Sequence, residues 1–264
     1  MNAVLSSIQS FFFSLTEPKE IKTNQDTDLL RLIACLCMVI DHAGKMFFPQ
    51  LDWMRLVGRT AFPLFAYGIA VGAAKTHHPL HYLRRIAGLA LLSQPLYSLA
   101  LAHENAAMFA HPFLKNPFLS VYSFYMNSWK KPSILLTLFL GLCLLLCLRY
   151  RQYAGALLFL VIGWRFAEFL DYGFYGLLLM VVFYISLEHP VLGLVPLAVF
   201  FFSWALSDYG TYPLFGLRFG MRLFALPALL LTRLPMKRNL RLPHWFSYGF
   251  DPAHLAVIAL LVHL

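Results

Sequence analysis

Leu29 to Phe48 is a mostly apolar run of about twenty residues, the length that crosses a hydrocarbon core as a helix. No irregular backbone survives in lipid, so such a run has few alternatives to a helix. Asp41 and His42 sit side by side two thirds of the way along it. An acid and an imidazole are costly at that depth, and the default reading of such a pair is an intramembrane functional site.

The rest of the chain has the same character. Its 264 residues are 60% hydrophobic and 12% charged, and the mean hydropathy is +0.67. A soluble domain carries about 25% charged and about 45–50% apolar residues. The 25 Phe, 13 Tyr and 5 Trp suit lipid-facing surfaces and interfacial belts. At roughly 20 residues per span, the expected spans are Leu29–Phe48, Leu56–Ala74, Ile86–Ala102, Ser133–Leu148, Tyr153–Ala167, Gly173–Leu187, Val191–Leu206, Tyr212–Leu231 and Phe250–Leu264. The expected fold class is therefore an all-α polytopic membrane protein, a bundle of about nine transmembrane helices forming one domain over residues 1–264. Residues 1–27 read as an N-terminal interfacial segment: Val4–Leu15 is too short to span, and no basic n-region or cleavage site marks a signal peptide. His103–Pro132 breaks the rhythm, with three prolines, many aromatics and little charge. It reads as a re-entrant or interfacial aromatic loop or cap.

The formal charge of +9 lies mainly in short connections. Lys19 and Lys22, Lys75 with Arg84 and Arg85, Arg149 with Arg151, and Arg233 with Lys237, Arg238 and Arg241 all fall on one side of a nine-span layout. By the positive-inside rule that side and the N-terminus are cytoplasmic. Topology and anionic lipid thus account for the charge, and no nucleic-acid module is present. The four cysteines lie in apolar segments without zinc-site spacing and read as packing residues; no metal is expected.

Four blocks could carry chemistry. On a helix Asp41 and His42 point about 100° apart, so they do not form a dyad by adjacency. His42 suits a general base, and Asp41 needs another partner. The expected one is Arg59, at the start of the next span, which could instead hold an anionic group such as a phosphate. Gly58, Thr60 and Ala61 around it permit close helix contact. Glu168 and Asp171, three apart and followed by Tyr172, Gly173 and Gly176, form a carboxylate pair if helical, or a polar helix junction. His254, behind Asp251-Pro252, lies in the first turn of the last span and either completes a polar centre with His42 or sits at the interface.

These blocks, in this order, resemble the TraX family, membrane acetyltransferases named for the conjugative F-pilin acetylase. The matching residues are Asp41-His42, Gly58-Arg59 with Phe62-Pro63-Leu64-Phe65, Asp171-Tyr172-Gly173 with Gly176, and Pro252 with His254-Leu255. The resemblance runs from Leu29 to Leu264 and extends to the wider membrane acyltransferases, which use a membrane histidine. It implies transfer of an acetyl group from acetyl-CoA, as co-substrate, to an acceptor amine or hydroxyl, with the pilin N-terminus or another envelope group as acceptor, in the bacterial cytoplasmic (inner) membrane. Mapped onto this sequence, His42, Asp41 and Arg59 are the expected catalytic residues, Arg59 and Lys45 the acetyl-CoA contacts, and Glu168, Asp171, Tyr172 and His254 the acceptor side. Two other readings remain: a proton-coupled transporter relaying through His42, Asp41 and Glu168, and a non-catalytic pilus or envelope assembly factor. Against the first, no internal repeat is visible.

Overall fold

The computed structural model describes residues 20–101, 116–189, 191–206, 211–214, 217–234 and 240–263. Within them the chain is a helical bundle. The first apolar run forms α1 (Thr27–Met46), opened by Asp26, whose carboxylate accepts from the Leu29 amide. The second expected span is two helices, α2 (Asp52–Gly58) and α3 (Ala61–Lys75). Pro63 has no N–H to return to the Arg59 carbonyl, so the helix restarts at Ala61 with the proline inside its first turn. α4 follows (Pro79–Leu101), then α5 (Pro117–Ser128), α6 (Ile134–Arg149), α7 (Tyr153–Arg165), α8 (Gly173–Ser186) and α9 (Leu194–Leu206).

The eighth expected span, Tyr212–Leu231, is not one helix. It holds an antiparallel ribbon, β1 (Thr211–Leu214) on β2 (Leu217–Gly220), a 3₁₀ turn at Met221–Ala225, and short α10 (Leu226–Arg233). Pro213, Gly216, Gly220 and Pro227 interrupt the segment too often for a helix to propagate, whatever its hydropathy. α11 (His244–His263) closes the chain, starting earlier than the expected Phe250.

α3 is the axis of the bundle. Its alanines let α1, α6 and α8 close around it, and Phe62, Leu64, Ala66, Tyr67, Ala70 and Ala73 are almost wholly buried. α4 packs on α6 and carries α11 along its other side. The outer surfaces are also apolar: Leu157, Val161 and Trp164 of α7, Val195, Val199 and Phe202 of α9, and Val257, Leu260 and Leu261 of α11 are exposed. Among the described residues one helical stretch, Asp52–Lys75, is long and apolar enough to cross a membrane, and several other apolar helices are shorter.

The expected aromatic segment is described from residue 116 onward; residues 102–115, and residues 1–19 of the expected interfacial segment 1–27, lie outside the described residues, while Thr23 and Asn24 of that segment are buried against the bundle rather than interfacial. What is described is α5, a helix lying on α4 with Phe118, Val121, Tyr122 and Met126 exposed. Gln94 clamps its end: the buried amide donates to the carbonyls of Ser128 (2.5 Å) and Lys131 (3.1 Å) and accepts from the Ser133 amide (2.8 Å).

Residues 20–26 enter along the bundle on backbone bonds, Lys22 N–H to Leu187 C=O and Asn24 N–H to Thr232 C=O, both 3.0 Å. Buried Tyr67 holds them from the core, donating to the Asn24 carbonyl (2.5 Å) and meeting the Thr23 hydroxyl (2.7 Å). Tyr67→Phe strands two buried polar groups and is expected to cost about 1–3 kcal/mol, read as a lowered thermal unfolding midpoint of the purified protein.

Candidate functional site

A group of polar side chains converges on a cavity of about 130 Å³ between α1, α2, α11 and the α7–α8 connection. α1 supplies Asp41, His42 and Lys45; α2 supplies Arg55 and, at its C-terminal end, Arg59; the α7–α8 connection supplies Asp171 and Tyr172. Asp251 reaches the same space from α11, and Tyr97 from α4.

His42 Nδ1 lies 3.0 Å from Nε2 of His254, and the two rings are nearly parallel, 14° apart. His254 Nδ1 in turn lies 3.0 Å from the Phe250 carbonyl. A carbonyl only accepts, so His254 Nδ1 carries hydrogen, and whenever that ring is neutral its Nε2 is an acceptor. His42 must then donate through Nδ1, which leaves its Nε2 with a lone pair. A neutral imidazole with one nitrogen free is the form a general base or nucleophile needs.

Asp41 is oriented away from that task. Its Oδ2 pairs with Arg55 Nη1 at 2.7 Å, and the same guanidinium nitrogen reaches the Asp41 carbonyl at 3.2 Å. The expected partner was Arg59. Arg55 and Arg59 are four apart and share a face of α2, which begins at Asp52 rather than Leu56, so Arg55 is the one set over Asp41. Arg59 spans the cavity: it acts electrostatically on Asp41 and Asp171 and hydrogen-bonds Tyr172. Asp171 lines the cavity from the partly exposed α7–α8 connection. The Arg59 guanidinium acts on it as a counter-charge. Lys45 donates to the Leu101 carbonyl at 3.0 Å, at the open end of α1.

Two glycines make the centre possible. A Cβ on Gly58 would overlap the Asp41 side chain, and one on Gly176 would press Thr137, Tyr172 and Phe62. Gly173 starts α8 in the left-handed region (φ +56°), which turns the chain directly after Asp171 and Tyr172. Tyr172 stacks on Phe62 with ring centroids 3.8 Å apart, linking the connection to α3.

The structure thus brings together His42, Asp41, Arg59, Lys45, Asp171, Tyr172 and His254. Glu168 is separated from them. The α7–α8 connection is a series of turns rather than a helix, so residues 168 and 171 do not share a face, and Glu168 lies exposed beside Trp164 and Arg165. Arg55, Tyr97 and Asp251 are cavity residues that sequence reasoning missed. The i+3 spacing of Asp251 and His254 was a usable signal; Arg55 had only its i−4 relation to Arg59. Among the described residues no three His, Cys, Asp or Glu side chains are grouped to hold a metal.

Comparison with known proteins matches the chain to a family model. Residues 26–262 match the model described as TraX protein. The chain is 35% identical over 74 residues to Protein TraX of Escherichia coli strain K12, covering 28% of this chain and 30% of that protein. It is 29% identical over 80 residues to a probable fimbrial assembly protein FimC of Dichelobacter nodosus, covering 29% and 33%. It is 46% identical over 46 residues to an uncharacterized protein of Rickettsia prowazekii, covering 17% and 18%. The matched stretches span a third or less of the length of these curated relatives. No solved structure matches the chain.

The Gly58 approach is directly testable. Gly58→Ala is expected to destabilise by about 1–3 kcal/mol as the new methyl displaces Asp41. Gly88→Ala, whose Cβ meets open space on α4, should gain up to about 1 kcal/mol from helix propensity. Thermal unfolding midpoints of the two variants against the parent give the comparison.

Proposed function

The chain belongs to the TraX family, and from that premise we propose that it is a multi-pass membrane acetyltransferase that moves an acetyl group from acetyl-CoA to an acceptor of the pilus or envelope. The observation that carries this is His42 held by His254 in a cavity that Arg59 also lines, within an apolar bundle.

In the reaction, the acceptor amine loses a proton to His42 Nε2 and its nitrogen attacks the thioester carbonyl carbon. The carbonyl oxygen takes up negative charge, which Arg59 is placed to stabilise. The C–S bond then breaks, and the departing thiolate takes the proton from His42, leaving the acetylated acceptor and free CoA. While His42 is protonated, its Nδ1–H remains on His254 Nε2, so His254 holds the ring in place and shares the charge. The Asp41–Arg55 pair fixes α2 against α1 and so sets where Arg59 stands. Asp171 and Tyr172 form the opposite wall, suited to hydrogen-bonding an acceptor amine.

The membrane reading rests on the exposed apolar faces of α7, α9 and α11 around charges that turn inward. A water-soluble protein rarely leaves so much contiguous apolar surface open. The basic residues at one end of the bundle favour a cytoplasmic N-terminus in the bacterial inner membrane. The pilin N-terminus, or another envelope amine or hydroxyl, is the acceptor that the family suggests. The name of the Dichelobacter relative favours a second reading, a non-catalytic assembly factor.

Purified protein incubated with acetyl-CoA and a pilin N-terminal peptide should add one acetyl group to the peptide, read by mass spectrometry. His42→Gln should lower the rate by about 10²–10⁴-fold without moving the thermal unfolding midpoint. Full turnover in that variant would remove His42 from the chemistry, and pilus assembly unaffected by it would support the second reading. His254→Ala should lower kcat by a smaller factor, with His254→Asn, which keeps a polar partner for Nδ1, recovering part of the loss.

A further inference from the structure

The polar centre has a second approach, from the opposite end of α1. A mostly apolar channel is lined by Cys35, Met38, Leu64, Phe65, Gly68 and Ile69, among others. At its inner end it shares Met38, Phe65, Ile134, Leu135 and Asp251 with the polar cavity. At its outer end it shares Thr27, Arg31, Gly68 and Tyr82 with an open groove bordered by Lys75, Arg85 and three histidines, His77, His78 and His81. Shared walls thus set the three spaces end to end between a cationic mouth and His42.

The mouth is built from three helices. Arg31 comes from α1, where Asp28 holds it at 3.0 Å; Lys75 ends α3, with Gln25 3.5 Å away; Arg85 comes from α4 and lies over the Tyr248 ring at 5.7 Å. Lys75, Arg85 and the three histidines are exposed, and Asp28 is the carboxylate paired within the group. Positive charge so concentrated fits an anion carrying several phosphates. Gly68 stands where mouth and channel meet, and a Cβ there would meet nothing within 4 Å.

The dimensions select the anion. Arg31 and His42 are 11 residues apart on α1, or about 16 Å of helix rise. The arm of coenzyme A between sulfur and pyrophosphate runs through about a dozen chain bonds, about 15 Å at the reach of an extended peptide.

We propose that the mouth formed by Arg31, Lys75 and Arg85 binds the nucleotide phosphates of the acetyl donor, and that the Gly68 channel carries its pantetheine arm to His42. This rests on the acetyl-CoA reading of the centre. It moves the phosphate contacts from Lys45 and Arg59, at the far end of the path, to the N-terminal end of α1, and leaves Arg59 for the acyl oxygen. The mouth is also at the end of the bundle where Lys75, Arg84 and Arg85 place the cytoplasm, where acetyl-CoA is made.

The test uses the full chain in phosphatidylcholine nanodiscs and two donors, acetyl-CoA and S-acetyl-N-acetylcysteamine, which lacks the phosphates. Arg85→Gln and Lys75→Gln should each raise the KM ratio of acetyl-CoA to the short donor about tenfold, the scale of one charge-assisted contact. Equal shifts for both donors, or none, overturn the mouth. Titration with adenosine 3′,5′-bisphosphate reads the mouth without turnover: it should bind, compete with acetyl-CoA, and weaken about tenfold in Arg85→Gln. If Arg85→Gln instead weakens only association with phosphatidylglycerol vesicles, the anion is a lipid headgroup and the proposal fails. Gly68→Leu, a better helix former that fills the channel, should abolish turnover of acetyl-CoA while bisphosphate still binds. Full acetyl-CoA turnover in that variant overturns the channel. Because bisphosphate binding needs no chemistry, a protein that binds it yet transfers no acetyl group would refute the enzyme reading alone.

Discussion

The close approach of α2 to α1 at Gly58 places the charges of this protein. Asp41 lies over the one α2 position without a side chain, and the Arg55 guanidinium closes on it from the preceding turn. A half-buried carboxylate in an apolar bundle needs such a partner, because desolvation of either charge alone costs several kcal/mol. Once the pair is formed, the end of α2 is fixed, and Arg59 must project into the cavity toward Asp171 and Tyr172. The pair thus orients the helix bearing the residue proposed to meet the acyl oxygen.

The second organising contact is between His42 and His254, which stand 212 residues apart in the chain. α11 reaches His42 because it packs along α4, beside α1. The Phe250 carbonyl then sets the tautomer of His254 and, through it, that of His42. The chemical state of the proposed base is therefore governed by a backbone carbonyl of the last helix. An imidazole fixed in this way loses little orientational freedom when substrate arrives, which is how a scaffold contributes to rate before any chemistry.

Legibility in the sequence followed the range of the interactions. Helices α1, α3, α4 and α6 to α8 were readable because apolar runs of that length have few other ways to satisfy their backbone. The Tyr212–Leu231 segment was misread because hydropathy averages over Pro213, Gly216 and Gly220, which act on the backbone locally. Asp41, His42, Arg59, Asp171, Tyr172 and His254 stood out as polar residues in apolar surroundings, and they converge. Glu168 stood out by the same rule and lies outside, because its carboxylate pairing assumed a helix where the chain makes turns. Arg55 was hidden by its i, i+4 relation to Arg59: helical spacing says the two share a face, and only the start of α2 at Asp52 decides which meets Asp41.

By itself, the sequence determined that this chain is helical, that its few intrahelical charges need partners, and that His42 is the residue suited to proton transfer. Those conclusions follow from desolvation and backbone hydrogen bonding, which act through composition and near neighbours. The tertiary structure decided which charges meet, which ring stands against His42, and that an apolar channel lined by Gly68 lies between the polar cavity and a cationic groove. These depend on contacts between residues tens to hundreds apart in the chain. Periodicity fixes the face on which a residue lies, and only packing fixes what stands opposite it.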